Sequence, residues 1–180
     1  MRQDFKNLYV TEIIPYFKEV FKYTNIEQIP KLKKIQINRG LGKAGQNTKI
    51  LKKSIEEFRL ITGQQPIITK AKKSIAGFKL RENMELGITV TLRKEKMYSF
   101  LERLINLAIP RLRDFQGLDP NKFDRAGNYT FGINDQLIFP EINYDDVDQI
   151  MGFNISLVTT AKNPKEGLAL LTKMGLPLRN

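Results

Sequence analysis

The chain has no cysteine and no histidine in 180 residues. That excludes disulfides, thiol nucleophiles and the usual zinc donor sets, and it removes the commonest general base. An enzyme built from this chain would have to work with carboxylates, lysines and a bound metal. No apolar run approaches the ~18 residues that cross a bilayer. The first residues, MRQDFKNLYVTEII, contain no apolar signal core, and Asp4 and Glu12 argue against a cleavable transit peptide. The expectation is a protein that works where it is made, with no membrane partner.

Acid is also missing over long stretches. From Gln28 to Arg81 there are 14 basic residues and only two acids, Glu56 and Glu57, so this stretch carries +12 of a chain total of +11. Between Lys70 and Arg81 there is no acid beside Lys70, Lys72, Lys73, Lys79 and Arg81. From Ala126 to Ala161 the reverse holds: Asp135, Glu141, Asp145, Asp146 and Asp148, and no base. A basic half (28–93) with an acidic region behind it (126–161) reads as a nucleic-acid binder with a second contact of opposite charge. A merely solvated surface would intersperse lysine with glutamate.

The length fits one domain over residues 1–180. Residues 4–22 have an amphipathic helical pattern (Phe5, Leu8, Tyr9, Ile13, then Phe17, Val20, Phe21), with Pro15 expected to kink or restart it. Lys31–Asn38 alternates, with Ile35 and Ile37 on one side and Lys34, Gln36 and Asn38 on the other. A helix is predicted over 47–61 with Leu51, Ile55 and Phe58 inward, and a short strand over 66–70. Gly87–Arg93 alternates cleanly, Ile88, Val90 and Leu92 in, Thr89, Thr91 and Arg93 out. Residues 95–109 carry Met97, Phe100, Leu101, Leu104, Ile105 and Ala108 at helical spacing, with Pro110 as the stop. Residues 111–130 are turn-rich, 131–141 read as short strand and loop, and 143–151 as a short helix. Gly152–Thr160 reads as the last strand. Asn163, Pro164 and Glu166 begin a final helix with Leu168 and Leu171 inward and Gly175 as the stop.

These elements predict an α+β fold, an antiparallel sheet with helices on one face and the other face free. The free face carries Lys34, Gln36, Asn38, Thr89, Thr91, Arg93, Asn154 and Ser156. It has no aromatics, whereas sheets that stack single-stranded RNA present them, so structured RNA read by backbone and shape is expected. A long basic loop, 71–84, joins two strands, with Ile75, Phe78 and Leu80 too scattered for a core helix. A loop of that length is usually functional, and its charge points to phosphate.

Two patterns invite other chemistry. Gly40, Gly42 and Gly45 match the dinucleotide fingerprint after a strand and before a helix. The preceding strand is amphipathic, however, and the next ends in Lys70 where an acidic ribose ligand is required. A tight turn with amides near a helix start, suited to an RNA phosphate, fits better. Asp145, Asp146 and Asp148 can be read as a magnesium cluster, but the first turn of a helix favours such acids too. No catalytic residue, metal ligand or cofactor is assigned.

The stretches IQINRGLGKA (35–44), ITGQQPIITKAKKSIAGFKLRE (61–82), GITVTLRKEKMYSFLERLINLAIPRLRDFQGL (87–118), FDRAGNYTFGINDQLIFPEINYD (123–145) and VTTAK (158–162) together resemble one family over nearly its full length. This is the universal 5S rRNA-binding protein of the large ribosomal subunit, large-subunit ribosomal protein five. The resemblance implies a structural, non-catalytic protein that binds 5S rRNA beside large-subunit rRNA and helps form the central protuberance. It implies rRNA contacts at Lys34, Asn38, Gln64, Thr69, Lys70, Thr89, Thr91 and Arg93, and P-site tRNA contacts at Lys72, Lys73, Ser74 and Arg81. It also implies neighbouring ribosomal proteins, including a basic small-subunit protein bridged by residues 134–145. Arg125 and Lys94 stand where the family commonly has glycine, so the local turns there are expected to differ. Lys, Ile and Asn supply 53 of the 180 residues, as AT-rich genomes favour, and some wording (NRGLGKAGQN, RLINLAIPRLRDF) is plastid-like. A plastid-encoded protein of the chloroplast stroma is the preferred reading, with a bacterial cytoplasmic one as the alternative.

Overall fold

The computed structural model describes residues 5–42, 45, 47–113, 115–144, 147 and 149–179, with the side chain of Lys6 excepted. The fold is α+β. Five strands, β1 (Leu32–Gly40), β2 (Ile67–Lys70), β3 (Glu85–Leu92), β4 (Tyr129–Ile133) and β5 (Phe153–Thr159), form one antiparallel sheet in the order β2-β3-β1-β5-β4. The described residues divide into two compact units, and β1, β4 and β5 each contribute to both.

The first unit comprises residues 1–35, 93–131 and 156–180. Its first helix runs as α1 (Phe5–Leu8), a π turn (Tyr9–Ile13) and α2 (Ile14–Val20). Pro15 does not break it. The wide turn, closed by Ile14 N–H to the Tyr9 carbonyl, hands the chain to a fresh α-helical start, where a missing N–H costs least. The same device recurs in α4 (Lys94–Arg103). A π turn (Leu104–Ala108) follows it and leads into a 3-10 turn (Ile109–Arg111), so Pro110 lies inside the helical run and the chain leaves at Leu112. Helix α5 (Pro164–Lys173) ends as expected, with Gly175 at φ 87° donating to the Thr172 carbonyl. Phe5, Ile13, Phe17, Phe100, Leu101 and Leu170 form its core with Tyr129. Leu168, expected inward, is exposed, and Leu170 takes that place beside Leu171. Val20 is likewise exposed.

Gly167 and Gly127 are required sterically. A Cβ on Gly167 would lie 2.3 Å from the Gly127 carbonyl oxygen, and Gly127 itself has φ 73°. Helix α5 therefore crosses the 124–128 turn at backbone contact. That turn is closed by Asp124, whose Oδ1 accepts from the amides of Ala126 (3.0 Å) and Asn128 (2.7 Å), while Oδ2 accepts from Asn128 Nδ2 (2.7 Å). Arg125 adopts no positive φ, so glycine is not needed there. Lys94 does, at φ 53°.

The second unit comprises residues 36–92 and 132–155. Helix α3 (Thr48–Thr62) starts at Asn47, whose side chain accepts from Lys49 N–H, and ends at Gly63 in the left-handed region. Its Leu51, Phe58 and Ile61 are buried, as are Ile37, Ile88, Val90 and Phe153, and the Phe58 and Phe153 rings meet edge to face with centroids 5.7 Å apart. The glycine-rich turn after β1 serves packing: Gly42 has φ 52°, and a Cβ on Gly45 would lie 2.6 Å from the Glu85 carbonyl oxygen. Residues 43, 44 and 46 of that turn lie outside the described residues, as do Asp145, Asp146 and Asp148 of the expected 143–151 helix. Among the described residues, no group of three or more acids is placed to hold a metal ion, and no helix is long and apolar enough to cross a membrane.

Candidate nucleic-acid interface

In the second unit the alternation of β1 and β3 places Ile37, Ile88, Val90 and Leu92 in the core. Gln36, Thr89 and Thr91 are left half-buried and Asn38 exposed. Antiparallel pairing extends this polar face onto β2. Ile67 pairs with Thr89 and Thr69 with Gly87, and the register then slips so that Lys70 pairs with Glu85. Gly87 leaves no room for a side chain against β1, since a Cβ there would meet the Arg39 carbonyl oxygen at 2.4 Å. Two of the polar side chains are partly committed within the fold. Thr89 Oγ1 donates to the Ile37 carbonyl (3.1 Å), and Gln64 Nε2 donates to the Thr91 carbonyl (3.1 Å). Gln64 thus joins the start of β2 to β3 as well as standing at the edge of the face.

Loop 71–84 is a hydrogen-bonded extension of β2 and β3. Ala71 N–H donates to the Met84 carbonyl and Asn83 N–H to the Ala71 carbonyl (2.8 and 3.0 Å). Farther out, Ile75 and Leu80 exchange both backbone bonds (3.0 and 3.1 Å) around a 3-10 turn, Ala76–Phe78. Ser74 Oγ accepts from Glu82 N–H (3.0 Å), which ties the two arms together. Lys72, Lys73, Ser74, Lys79 and Arg81 are all exposed. Among the described residues neither these cations nor Lys70 has a carboxylate partner. Unpaired cations spaced along a rigid frame are suited to phosphate.

In the first unit Lys34 is half-buried, Arg93 is exposed at the start of α4, and Thr130 Oγ1 donates to Ser156 Oγ (3.0 Å). A groove of ≈ 770 Å³ lies beside Arg93, and Lys33, Lys94, Glu95, Lys96 and Tyr98 help to line it.

The sequence reading missed three features of these surfaces. Arg39 belongs to the basic count but not to the basic surface. It is buried, with Nη1 on Glu57 and its guanidinium 4.8 Å from the centre of the Phe58 ring. The alternation that places Ile35 and Ile37 inward assigns Arg39 inward too, had the strand been carried two residues further. Ile67 is 68 % exposed on the polar face, and Phe78 is 71 % exposed on the loop.

Comparison with known proteins agrees with this picture. A family model described as ribosomal protein L5 matches residues 25–81, and a second, for the C-terminus of the same ribosomal family, matches residues 85–178. The chain belongs to the ribosomal protein L5 family. This L5-family chain is 61 % identical to the large ribosomal subunit protein uL5c of Heterosigma akashiwo over 99 % of both chains. It is 60 % identical to uL5c of Porphyra purpurea over 97 % of this chain and 96 % of that one. It is 59 % identical to uL5 of the cyanobacterium Microcystis aeruginosa over 99 % of this chain and 100 % of that one. The L5-family chain is therefore a structural protein of the large ribosomal subunit, not an enzyme, and its algal uL5c relatives assign it to plastid ribosomes.

Proposed function

We propose that this protein binds 5S rRNA in the central protuberance through Lys34, Asn38, Gln64, Thr69, Lys70, Thr89, Thr91 and Arg93. On the same reading it reaches the P-site tRNA through Lys72, Lys73, Ser74 and Arg81. The observation that carries this reading is the run of exposed cations from Lys70 to Arg81, none with a carboxylate partner among the described residues, beside strands whose outward side chains include threonine, asparagine and glutamine. Cations supply affinity by displacing counterions, and the polar side chains fix register on folded RNA. The acid-rich, base-free segment 134–145 contacts a basic small-subunit protein at an intersubunit bridge. Asp135 also caps its own 3-10 turn, Gln136–Ile138, by accepting from Leu137 N–H (2.8 Å).

Crosslinking the protein in plastid extract and sequencing the attached RNA tests the assignment. Adducts on 5S rRNA from the strand residues and on tRNA from the loop are expected. Adducts on neither RNA refute it. Lys72→Ala with Lys73→Ala is expected to spare 5S rRNA binding and weaken P-site tRNA retention on assembled ribosomes, and equal loss of both would merge the two sites.

A further inference from the structure

Phe78 is the most exposed phenylalanine among the described residues, and it projects from a basic arm. Among those residues no ring or cation lies against it. The turn that bears it is rigid for its size. Phe78 N–H donates to the Ile75 carbonyl (3.3 Å), Lys79 N–H to the Ala76 carbonyl (3.0 Å), and the Ile75–Leu80 bridge closes the base. Lys79 takes φ 54° to complete the turn, a left-handed conformation that is strained for a residue other than glycine.

Gly77, next to it, is not demanded by the chain. Its φ lies outside the left-handed region, and a Cβ there would meet nothing within 4 Å. Neither conformation nor packing against the described residues asks for glycine, so the surface at this position, next to Phe78 in the chain, is open. A flat aromatic face, open space beside it and cations at Lys72, Lys73, Lys79 and Arg81 together fit an unstacked nucleobase with its phosphates. A protein or lipid partner would need an apolar surface larger than Phe78 and the half-exposed Ile75 offer.

We propose that Phe78 stacks on an exposed nucleobase face of the RNA that the loop engages, with Gly77 admitting the base, so that the loop grips by stacking as well as by charge. This rests on the reading that loop 71–84 meets tRNA. The chain has no tryptophan, so Phe78→Trp places a single indole in this protein, at the tip of the loop. The experiment reconstitutes large subunits with this variant, its one indole carrying fluorine, and adds P-site tRNA. A ring-current shift and broadening of the indole fluorine resonance on tRNA addition supports the proposal. So do about tenfold faster tRNA release for Phe78→Ala, the scale of one lost base–aromatic stack, and a similar loss for Gly77→Val. Phe78→Leu is expected to release tRNA nearly as fast as Phe78→Ala. Full rescue by leucine overturns stacking. An unmoved fluorine signal overturns it too, and if Lys72→Ala with Lys73→Ala still speeds release, the tRNA reading itself survives. A signal already shifted before tRNA is added assigns the ring to rRNA and overturns the proposal as stated. The thermal unfolding of Phe78→Ala and Gly77→Val in the free protein should match the parent, since both sites are exposed.

Discussion

Arg39 Nη1 donates to Glu57 Oε2 at 2.5 Å, and Arg39 is 1 % exposed. Its Nη2 donates to the Met151 carbonyl (3.2 Å), and Phe58 and Phe153 lie 4.8 and 5.7 Å from the guanidinium carbon. Its Nε has no hydrogen-bond partner among the described residues. Burial pushes the guanidinium pKa down, and the hydrogen bond and charge of Glu57 offset part of that. A buried pair of this kind adds little net stability, yet breaking it is costly because a charge is left without its partner. Arg39→Ala should therefore destabilise the free protein by about 3–5 kcal/mol in urea unfolding. Arg39→Met with Glu57→Leu should cost far less, because both charges leave together and the methionine fills the space between the two rings. If the double variant is as unstable as the single one, the loss comes from packing volume and not from a stranded charge.

Lys94 gives a prediction of opposite sign. It sits at φ 53° directly after Arg93, which caps α4 in an extended conformation. A side chain in that region costs about 1–2 kcal/mol, and glycine gives back about 0.5–1 kcal/mol through the unfolded chain. Lys94→Gly should then raise stability by roughly 0.5–1 kcal/mol. Lys94→Ala should gain nothing, because alanine keeps the strain. Equal gains from both would mean that the lysine charge, and not its backbone, is unfavourable.

How legible these features were depends on how local their cause is. Alternation alone assigned Ile35, Ile37, Ile88, Val90 and Leu92 to the core and Gln36, Asn38, Thr89 and Thr91 outward, because a period of two fixes the face of every residue in a strand. Arg39 obeys the same period, but its charge argued for the surface, and its partner lies 18 residues away on α3. Pro15 read as a kink or restart, and Pro110 as a stop, because a proline removes an N–H. The π turns that absorb both depend on tertiary packing that local sequence does not record. Leu168, Leu170 and Leu171 allow two helical phases, and the phase that buries Leu170 is the one in which Gly167 meets the Gly127 backbone, a contact distant in sequence. The polar strand face followed from periodicity, whereas the division between rRNA and tRNA residues came from the family resemblance.

The 124–128 turn supplies a pH prediction. Burial pushes the Asp124 carboxyl up, but hydrogen bonds from the Asn128 side chain and from the Asn128 and Ala126 amides outweigh it, and the net pKa lies below the ordinary value. A folded pKa below the unfolded one means stability that is present above the unfolded pKa, about 3.9, and is lost as pH falls through the folded value. Asp124→Ala should be less stable than the parent at pH 7, by about 1 kcal/mol on the scale of a lost helix cap. The gap should narrow as pH drops from about 5 to 2, which urea midpoints at each pH would follow. A gap that stays constant in acid would remove the carboxylate from the account.

Salt dependence separates the two kinds of RNA contact. Lys34 and Arg93 carry charge without a carboxylate partner among the described residues, whereas Thr91 and Asn38 offer only hydrogen bonds. If 5S rRNA is the ligand, each of Lys34→Ala and Arg93→Ala should weaken binding by roughly 1–2 kcal/mol. Each should also lower the slope of log affinity against log salt by about 1, since one fewer counterion is released. Asn38→Ala and Thr91→Val should weaken binding with the slope unchanged, because they fix register without displacing ions. Gln64→Ala should leave the slope unchanged and lower the melting temperature of the free protein, since Gln64 Nε2 bonds the Thr91 carbonyl. Filter binding of 5S rRNA from about 50 to 200 mM salt, where such contacts weaken steeply, reads all five variants. A slope that Lys34→Ala and Arg93→Ala both leave unchanged would remove these cations from the phosphate contacts and return that role to the loop.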